Sequence, residues 1–175
     1  MANIFNILVS VEVDSIVSSG SYSTEESDAP IVDSKYIHML THGGTKVIDS
    51  GGERLSLEHV IMNDQIIWKE VSLSPYTSKY SVVLKSVVAD NVTEASKYLS
   101  KSVLTIGNKM TPVITDANPI FVTPKDVDYH FWVSSVRKSL VSSVRIPFTC
   151  ALDIYEDDNR IGYAKYKHTL ELSLV

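Results

Sequence analysis

The sequence predicts an all-β fold: an antiparallel two-layer β-sandwich, jelly-roll-like, with one short helix. Three observations predict it, namely stretches in which apolar and polar residues alternate, enrichment of these stretches in β-branched residues, and short turns between them. The chain has 175 residues, of which 44% are hydrophobic and 21% charged. A chain of this length and composition is expected to form one domain, residues 1–175, whose core needs no disulfide or metal ion.

The amino-terminal third predicts short strands joined by tight turns. Residues 5–13 carry apolar side chains at every odd position, which indicates a half-buried strand. Residues 18–30 are rich in serine and acidic residues and predict an exposed, mobile loop. Strand composition returns at 31–40, and the glycine pairs 43–44 and 51–52 predict the turns of a meander.

The middle of the chain predicts further strands and the one helix. Three segments have strand composition: 54–60, 65–73 and 80–88. After Asp90 or Asn91, either of which can cap a helix, three residues recur at helical spacing: Ala95, Tyr98 and Leu99. Three prolines then punctuate a mixed region, in which extended segments are predicted at 113–115 and 120–122.

The carboxyl-terminal third predicts a hairpin of two long strands. Apolar side chains alternate over 146–154 and again over 164–174. The acidic cluster between them includes Asp157 and Asp158, and it fits either a tight turn or a calcium loop. A helix–loop–helix calcium loop that begins at Asp157 needs a glutamate at its twelfth position, where His168 stands. A turn between two strands is therefore the simpler interpretation.

Composition and charge argue against several classes of partner. The formal net charge is −5, which argues against nucleic acid. No stretch reaches the roughly 18 apolar residues of a membrane helix, and the amino end lacks the basic region of a signal peptide. The only cysteine is Cys150, so no intrachain disulfide can form. The expected location is the cytoplasm.

No catalytic motif is present in the sequence. Cys150 falls on the apolar face of its strand, where a structural role is expected. His38 and His42 have the spacing of a helical zinc motif without its glutamate, and on a strand they would lie about 13 Å apart. The sequence contains no nucleophile elbow, P-loop or dinucleotide fingerprint. We therefore predict a protein that is not an enzyme, with a histidine and a distant carboxylate as the remaining catalytic alternative.

One segment suggests a ligand site. Asp126, Asp128, His130 and Trp132 fall on the same side of a predicted strand start. Carboxylate oxygens with an aromatic ring suit a calcium-assisted sugar site, in which Asp126, Asp128 and Trp132 would bind the sugar. Calcium is the only cofactor that the sequence suggests, and its candidate ligands are four aspartates: Asp126, Asp128, Asp157 and Asp158. The alternative interpretation is a loop-to-strand junction with a core tryptophan.

Five segments, in order along nearly the whole chain, resemble the bacterial PixA/AidA family of inclusion-body proteins. They are ILVSVEVDSIVSS at 7–19, YIHML at 36–40, NDQIIWKEVSLS at 63–74, YHFWVSSV at 129–136 and FTCALDIYEDDNRIGY at 148–163. The chain departs from the family pattern at Asn63-Asp64, where Gly-Asp is expected. It departs again after Gly162-Tyr163, where a tryptophan and Asp-Pro are expected.

The resemblance implies a non-enzymatic protein, made abundantly under quorum-sensing or growth-phase control in host-associated bacteria, that accumulates in cytoplasmic inclusions. The first hypothesis is therefore a protein that associates with itself, as a homodimer or larger assembly, through a sheet face or a strand edge. The second is a calcium-assisted carbohydrate-binding, lectin-like protein, in which oligomerisation would increase avidity.

Overall fold

A computed structural model describes residues 2–41, 53–75, 77–117 and 120–174, and these residues form nine strands and two short α-helices. The strands are β1 (Ile4–Val11), β2 (Ile37–Thr41), β3 (Arg54–Leu57), β4 (Gln65–Ser72), β5 (Tyr80–Ala89), β6 (Val103–Ala117), β7 (Ile120–Ser135), β8 (Val144–Glu156) and β9 (Asn159–Leu172). The helices are α1 (Val13–Ser18) and α2 (Val92–Ala95). Single 3-10 turns lie at Glu26–Asp28 and Ser34–Tyr36. Neither helix is long and apolar enough to span a membrane.

The strands form two sheets, which confirms the predicted two-layer β-sandwich. The first sheet has the order β2-β1-β4-β7-β6, and the second has the order β3-β9-β8-β5. Most neighbours are antiparallel, but β1 pairs with β4 and β3 pairs with β9 in parallel. Both sheets are therefore mixed. The parallel pairs arise because a chain that leaves one sheet and returns to it can enter beside an earlier strand in the same direction.

The core lies between the two sheets and is built by the predicted alternation. Trp68 on β4 is fully buried and its ring lies 5.8 Å from that of Phe148 on β8. Even-numbered residues of β8 from Ile146 to Ile154 and of β9 from Gly162 to Leu172 are buried, while odd-numbered residues are mostly partly exposed. Burial of one face of each sheet stabilises the fold and also sets the register of the strands, because a one-residue slip would expose the apolar face.

The first strand is shorter than predicted. The apolar alternation was expected to continue to Val13, but β1 ends at Val11 and α1 begins at Val13. Val13 and Ile16, three residues apart on the helix, are both fully buried. Val13 therefore suits the inward side of a strand and of a helix equally well, and only packing against the core distinguishes the two.

The segment predicted to be an exposed loop, 18–30, lies beside β9. Ser23 exchanges backbone hydrogen bonds of 3.0 and 2.8 Å with Tyr163, and the Val32 N–H donates to the Lys165 carbonyl over 2.8 Å. A side chain at Gly162 would place its Cβ 2.4 Å from the Tyr22 ring, so a glycine is needed where the segment crosses β9. The segment thus covers the part of β9 that β3 does not reach. Its mobility stays a prediction.

Two local predictions are confirmed. The helix α2 lies in the predicted segment, and the Asn91 side chain caps it by accepting the Glu94 backbone N–H over 3.0 Å. The acidic cluster is the turn between β8 and β9, where Asp157 has φ of 51°. The two glycine pairs of the predicted meander lie outside the described residues.

The region around the three prolines forms long strands, which corrects the prediction of two short extended segments. β6 has 15 residues and β7 has 16, and they pair along their length. Pro112 lies directly opposite Pro124, so the two prolines form one cross-strand pair of the hairpin. Trp132 lies near the end of β7 and not at the start of a strand as predicted.

A buried aspartate organises the turn that leads into β4. Asp64 is fully buried, and its carboxylate accepts the backbone N–H groups of Asn3 over 2.6 Å and of Ile61 over 2.8 Å. Asn63 before it has φ of 75°, a left-handed conformation that asparagine tolerates better than most residues. This conformation explains why asparagine can stand where the family pattern has glycine.

We expect Asp64→Ala to lower the free energy of unfolding by about 3 kcal/mol, because two backbone N–H groups would lose their charged acceptor and a cavity would replace a fully buried side chain. Urea unfolding followed by circular dichroism measures this change. The control is Asp126→Ala, at an exposed aspartate, for which a change within about 0.5 kcal/mol is expected. Equal effects of the two variants would contradict the capping role of Asp64.

Candidate functional site

The β6–β7 hairpin extends past the rest of its sheet and forms a two-stranded arm. β7 pairs with β4 only from Ser135 to Trp132, where it lies opposite Gln65 to Trp68. From Phe131 to the end of the hairpin, the pairings of β7 are with β6. We call residues 104–117 and 120–131 the arm. Two strands without a third are marginally stable in water, so the arm depends on contacts at its base.

Side chains of β4 support the base of the arm from both faces. On the outer face, the Lys69 ammonium lies 4.7 Å from the Tyr129 ring centre and 5.4 Å from that of Phe131. On the inner face, Glu70 Oε1 lies 2.9 Å from His130 Nε2. Consecutive residues of β4 therefore contact the arm where backbone pairing between β4 and β7 has stopped.

The same base links the two sheets. The Trp132 indole N–H donates to the Leu84 carbonyl of β5 over 2.8 Å, and the Leu84 backbone N–H faces the Glu70 carboxylate. Glu70 is only 11% exposed. Burial raises the pKa of this carboxyl, while the charge of His130 and the nearby backbone N–H groups lower it, and burial has the larger effect.

The arm exposes an unusual number of large apolar side chains. Ile106 is 73% exposed, Met110 61% and Phe121 58%. Five more are at least one-third exposed on or directly beside the arm: Val103, Leu104, Val122, Val127 and Tyr129. Single exposed apolar residues are normal on protein surfaces, whereas a group of this size on one element makes the arm a candidate interaction surface.

The four sheet edges among the described strands differ in how they are protected. β2 and β3 are short, with five and four residues. On β5, the Val82 N–H donates to Ser72 Oγ over 2.9 Å and the Leu84 carbonyl accepts from Trp132. Side chains of the first sheet thus occupy the edge of β5. β6 is the long edge without such protection in the described structure, and it carries a single lysine, Lys109.

The predicted sugar and calcium residues lie in two separate hairpins. Asp126 and Asp128 are exposed on the arm, on one face as predicted, and the Asn108 amide donates to Asp128 over 3.0 Å. Asp157 and Asp158 lie in the β8–β9 turn. No group of three or more His, Cys, Asp or Glu side chains in the described ranges is arranged to hold a metal ion. The calcium site stays a prediction.

Trp132 and His130 share a face with these aspartates but point into the sandwich. Trp132 is half-buried and bonded to Leu84, and His130 faces Glu70. The inward face of β7 therefore changes from core at Trp132 to open surface at Asp128. This placement agrees with the alternative interpretation of Trp132 as a core residue.

The cysteine lies in a buried aromatic cluster. Cys150 is fully buried, and its sulfur lies 3.8 Å from His168 Nδ1. Burial raises the pKa of the Cys150 thiol to about 12 and lowers the pKa of His168 to about 4. The His168 ring stacks between Phe148 and Tyr166, with ring centres 5.4 and 5.8 Å away. A thiol and an imidazole that both remain neutral at pH 7 are unsuited to nucleophilic catalysis.

The other predicted histidines are dispersed. His38 Nε2 pairs with Glu12 over 3.0 Å, and His59 Nδ1 lies 3.2 Å from the Leu174 carbonyl. His42 lies outside the described residues.

Sequence reasoning missed the arm as a functional element. One signal was present, because Pro112 and Pro124 each stand six residues from position 118, as expected for opposed positions of a hairpin that turns there. No sequence pattern indicates that Ile106 and Met110 are exposed, because strand periodicity does not show whether a second sheet covers a face.

Comparisons with known proteins agree on one family. The model of the PixA family, described as inclusion body protein, matches residues 3–172. A crystal structure of an inclusion body protein (PixA) from Burkholderia cenocepacia J2315 is similar, with a TM-score of 0.72 at 12% identity over 98% of this chain and 96% of that one. At this identity the similarity concerns the fold. No curated protein sequence matches the chain.

We expect acid to destabilise the protein through His168. Burial lowers the pKa of His168 to about 4, so the unfolded chain binds a proton at this histidine more strongly than the folded chain does. The free energy of unfolding is therefore unaffected by this group above about pH 6.5 and decreases as the pH falls toward 4. At pH 4.5 the loss is about 2–3 kcal/mol. In His168→Phe, which keeps the ring stacking, the difference in unfolding free energy between pH 7 and pH 4.5 should shrink by that amount. The control is His59→Asn, at an exposed histidine, which should leave this difference unchanged. If His168→Phe also left the difference unchanged, His168 would not be the source of the acid sensitivity.

We expect His130→Asn to raise the pKa of Glu70 further, because the variant removes a charge that lowers it. Carbon-13 NMR titration of the glutamate carboxyls measures the pKa directly. Since ionisation of a carboxyl with a raised pKa opposes folding, stability should fall as the pH rises from about 4.5 through that pKa. This fall should be larger in the variant. His38→Asn, which removes the partner of Glu12, is the matched control and should leave Glu70 unchanged.

Proposed function

Because the chain belongs to the PixA family of inclusion body proteins, we propose that it acts without catalysis, by associating with further copies of itself. The functional state is an assembly of native molecules, as a homodimer or larger. We further propose that the assembly accumulates in cytoplasmic inclusions.

The exposed apolar surface of the arm carries this proposal. Ile106, Met110 and Phe121 lose contact with water only if another surface covers them. Residues 104–131 contain two lysines and three aspartates, so the arm carries a net charge of −1. Two arms can therefore approach each other with little repulsion, whereas the rest of the acidic surface opposes random association.

The buried chemistry supports a role without turnover. Cys150 and His168 form a close pair of thiol and imidazole, and both are enclosed in the core. Glu70 and His130 form a close pair with a perturbed carboxyl at the base of the arm, and Glu12 and His38 form a second such pair on the other side of the same sheet, over 3.0 Å. Perturbed pKa values in this chain thus accompany structural contacts.

The biological setting is proposed from the family. We propose production under quorum-sensing or growth-phase control in a host-associated bacterium. An abundant protein that associates through a weak, defined surface can be stored and released by dilution, which suits such control.

Calcium-assisted sugar binding is the second candidate function, with Asp126 and Asp128 as its ligands. It now rests on these two aspartates alone, because Trp132 is bonded to Leu84 and turned into the sandwich. Self-association is the better supported function, since the apolar surface of the arm favours it directly.

We expect Ile106→Glu to weaken self-association at least about ten-fold, since a charge on a covered apolar surface costs more than about 1.4 kcal/mol. Sedimentation-velocity ultracentrifugation over a range of protein concentrations measures the dissociation constant. Val141→Glu is the control, because Val141 is 90% exposed but lies in the β7–β8 connection, away from the arm. A wild-type protein that stays monomeric at the highest concentration would refute the proposal.

A further inference from the structure

The hydrogen-bond pattern of the arm follows from its two opposed prolines. Pro112 of β6 lies directly opposite Pro124 of β7, and neither residue has an N–H group. This pair cannot be one of the hydrogen-bonded pairs of the ladder. Hydrogen-bonded and non-hydrogen-bonded pairs alternate in antiparallel strands. The residues of β6 at even positions therefore also lie in non-hydrogen-bonded pairs with β7: Leu104, Ile106, Asn108 and Met110.

Two contacts elsewhere in β7 agree with this assignment of hydrogen-bonded and non-hydrogen-bonded pairs. The Ser135 carbonyl accepts from the Ser100 N–H, on the side of β6, while the Val136 N–H donates to the Asp64 carbonyl, on the side of β4. Odd residues of β7 thus bond toward β6 and even residues toward β4. The Asn108–Asp128 side-chain bond of 3.0 Å also fits, because side chains lie closer in non-hydrogen-bonded pairs.

The open edge of β6 therefore presents an uninterrupted row of backbone groups. In a non-hydrogen-bonded pair the N–H and C=O groups point away from the partner strand. Four residues with two groups each present eight groups over Leu104–Met110, and Pro112 ends the row because it has no N–H. Such an edge is a template for another strand.

We propose that the strand that pairs with this edge is β6 of a second copy of the chain, antiparallel to the first and centred on Gly107. This proposal rests on the proposed self-association and names its contact. In this register Leu104 lies opposite Met110 of the second copy and Ile106 lies opposite Asn108. All eight groups of each strand are then used, in eight hydrogen bonds. The two five-stranded sheets become one continuous sheet across a two-fold axis.

The side chains of β6 fit this register, and the residue at its centre is a glycine. Gly107 faces Gly107, and a side chain there would have to displace the Tyr129 ring of its own chain, which would lie 2.7 Å from the added Cβ. Lys109, the only charged residue between Leu104 and Met110, lies opposite Thr105, so like charges do not meet. Moving the centre to Asn108 would place Leu104 opposite Pro112, whose ring stands where an N–H is needed, so the Leu104 carbonyl would face the ring without a donor.

The paired segment is short, about 23 Å for seven residues, so the contact belongs to the weak, concentration-dependent class. An assembly that forms at high concentration and dissociates on dilution is the expected behaviour.

Replacing one edge N–H tests the pairing without changing the apolar surface. Asn108→Pro removes an N–H that points to the open edge and leaves the bonds between β6 and β7 in place. Asn108→Ala is the matched control, because it loses the same side-chain amide and keeps the N–H. By sedimentation velocity, we expect Asn108→Pro to weaken self-association at least about ten-fold relative to Asn108→Ala. Equal thermal melting of the two variants checks that the fold is intact.

Disulfide cross-linking gives a readout that does not depend on the proline variant. In this register Thr105 lies opposite Lys109 of the second copy in a non-hydrogen-bonded pair, where Cα atoms are about 4.5 Å apart and a disulfide can form. The double variant Thr105→Cys/Lys109→Cys should form disulfide-linked dimers on mild oxidation, whereas either single variant should not. The native Cys150 is fully buried and does not interfere.

The outcomes separate the pairing from self-association itself. If Asn108→Pro associates as strongly as Asn108→Ala and the double variant stays unlinked, the edge pairing is wrong while self-association stands. If the wild-type protein remains monomeric, both proposals fail.

Discussion

Backbone N–H and C=O groups at the edge of a β-sheet require a partner, and much of this structure can be understood from how each edge meets that requirement. β5 is an edge strand, and two of its backbone groups, the Val82 N–H and the Leu84 carbonyl, are bonded to Ser72 and Trp132 of the opposite sheet. β9 is flanked by β3 over its last residues and by the segment around Ser23 and Val32 over its middle. Among the residues that the structure describes, β6 remains as the long edge with no such device.

Buried polar groups are placed where regular pairing stops. Asp64 accepts two backbone N–H groups where the chain turns into β4, and Glu70 faces His130 where β7 leaves β4. A polar group in the core is tolerated only when it is paired, so these residues hold particular local geometries as well as occupying space. The direction of the arm consequently depends on side chains of β4, two of which contact it on opposite faces.

A surface for self-association and a stable sandwich make different demands on the same sheet. The sandwich needs the inner face of β4 and β7 covered by β5 and β8, and this cover ends near Trp132. Beyond that point the described residues place no second layer over the arm, and its apolar side chains are exposed. In the proposed dimer, the two-fold contact through the β6 edges would be closed, and the odd-numbered face of the arm, with Val127 exposed, would stay free for contacts between dimers.

The sequence by itself determined the sandwich, the β8–β9 hairpin with its acidic turn, the capped helix α2 and membership of the family. These features depend on residues close together in the chain: alternation within one strand, or a cap three residues from its N–H. The tertiary structure decided the rest. It ended β1 at Val11, placed Trp132 between the sheets, paired β1 with β4 in parallel and left the arm uncovered. Each of these depends on which distant strand lies beside or beneath a residue. Periodicity cannot specify that, because an apolar side chain has the same spacing whether its face is buried or exposed.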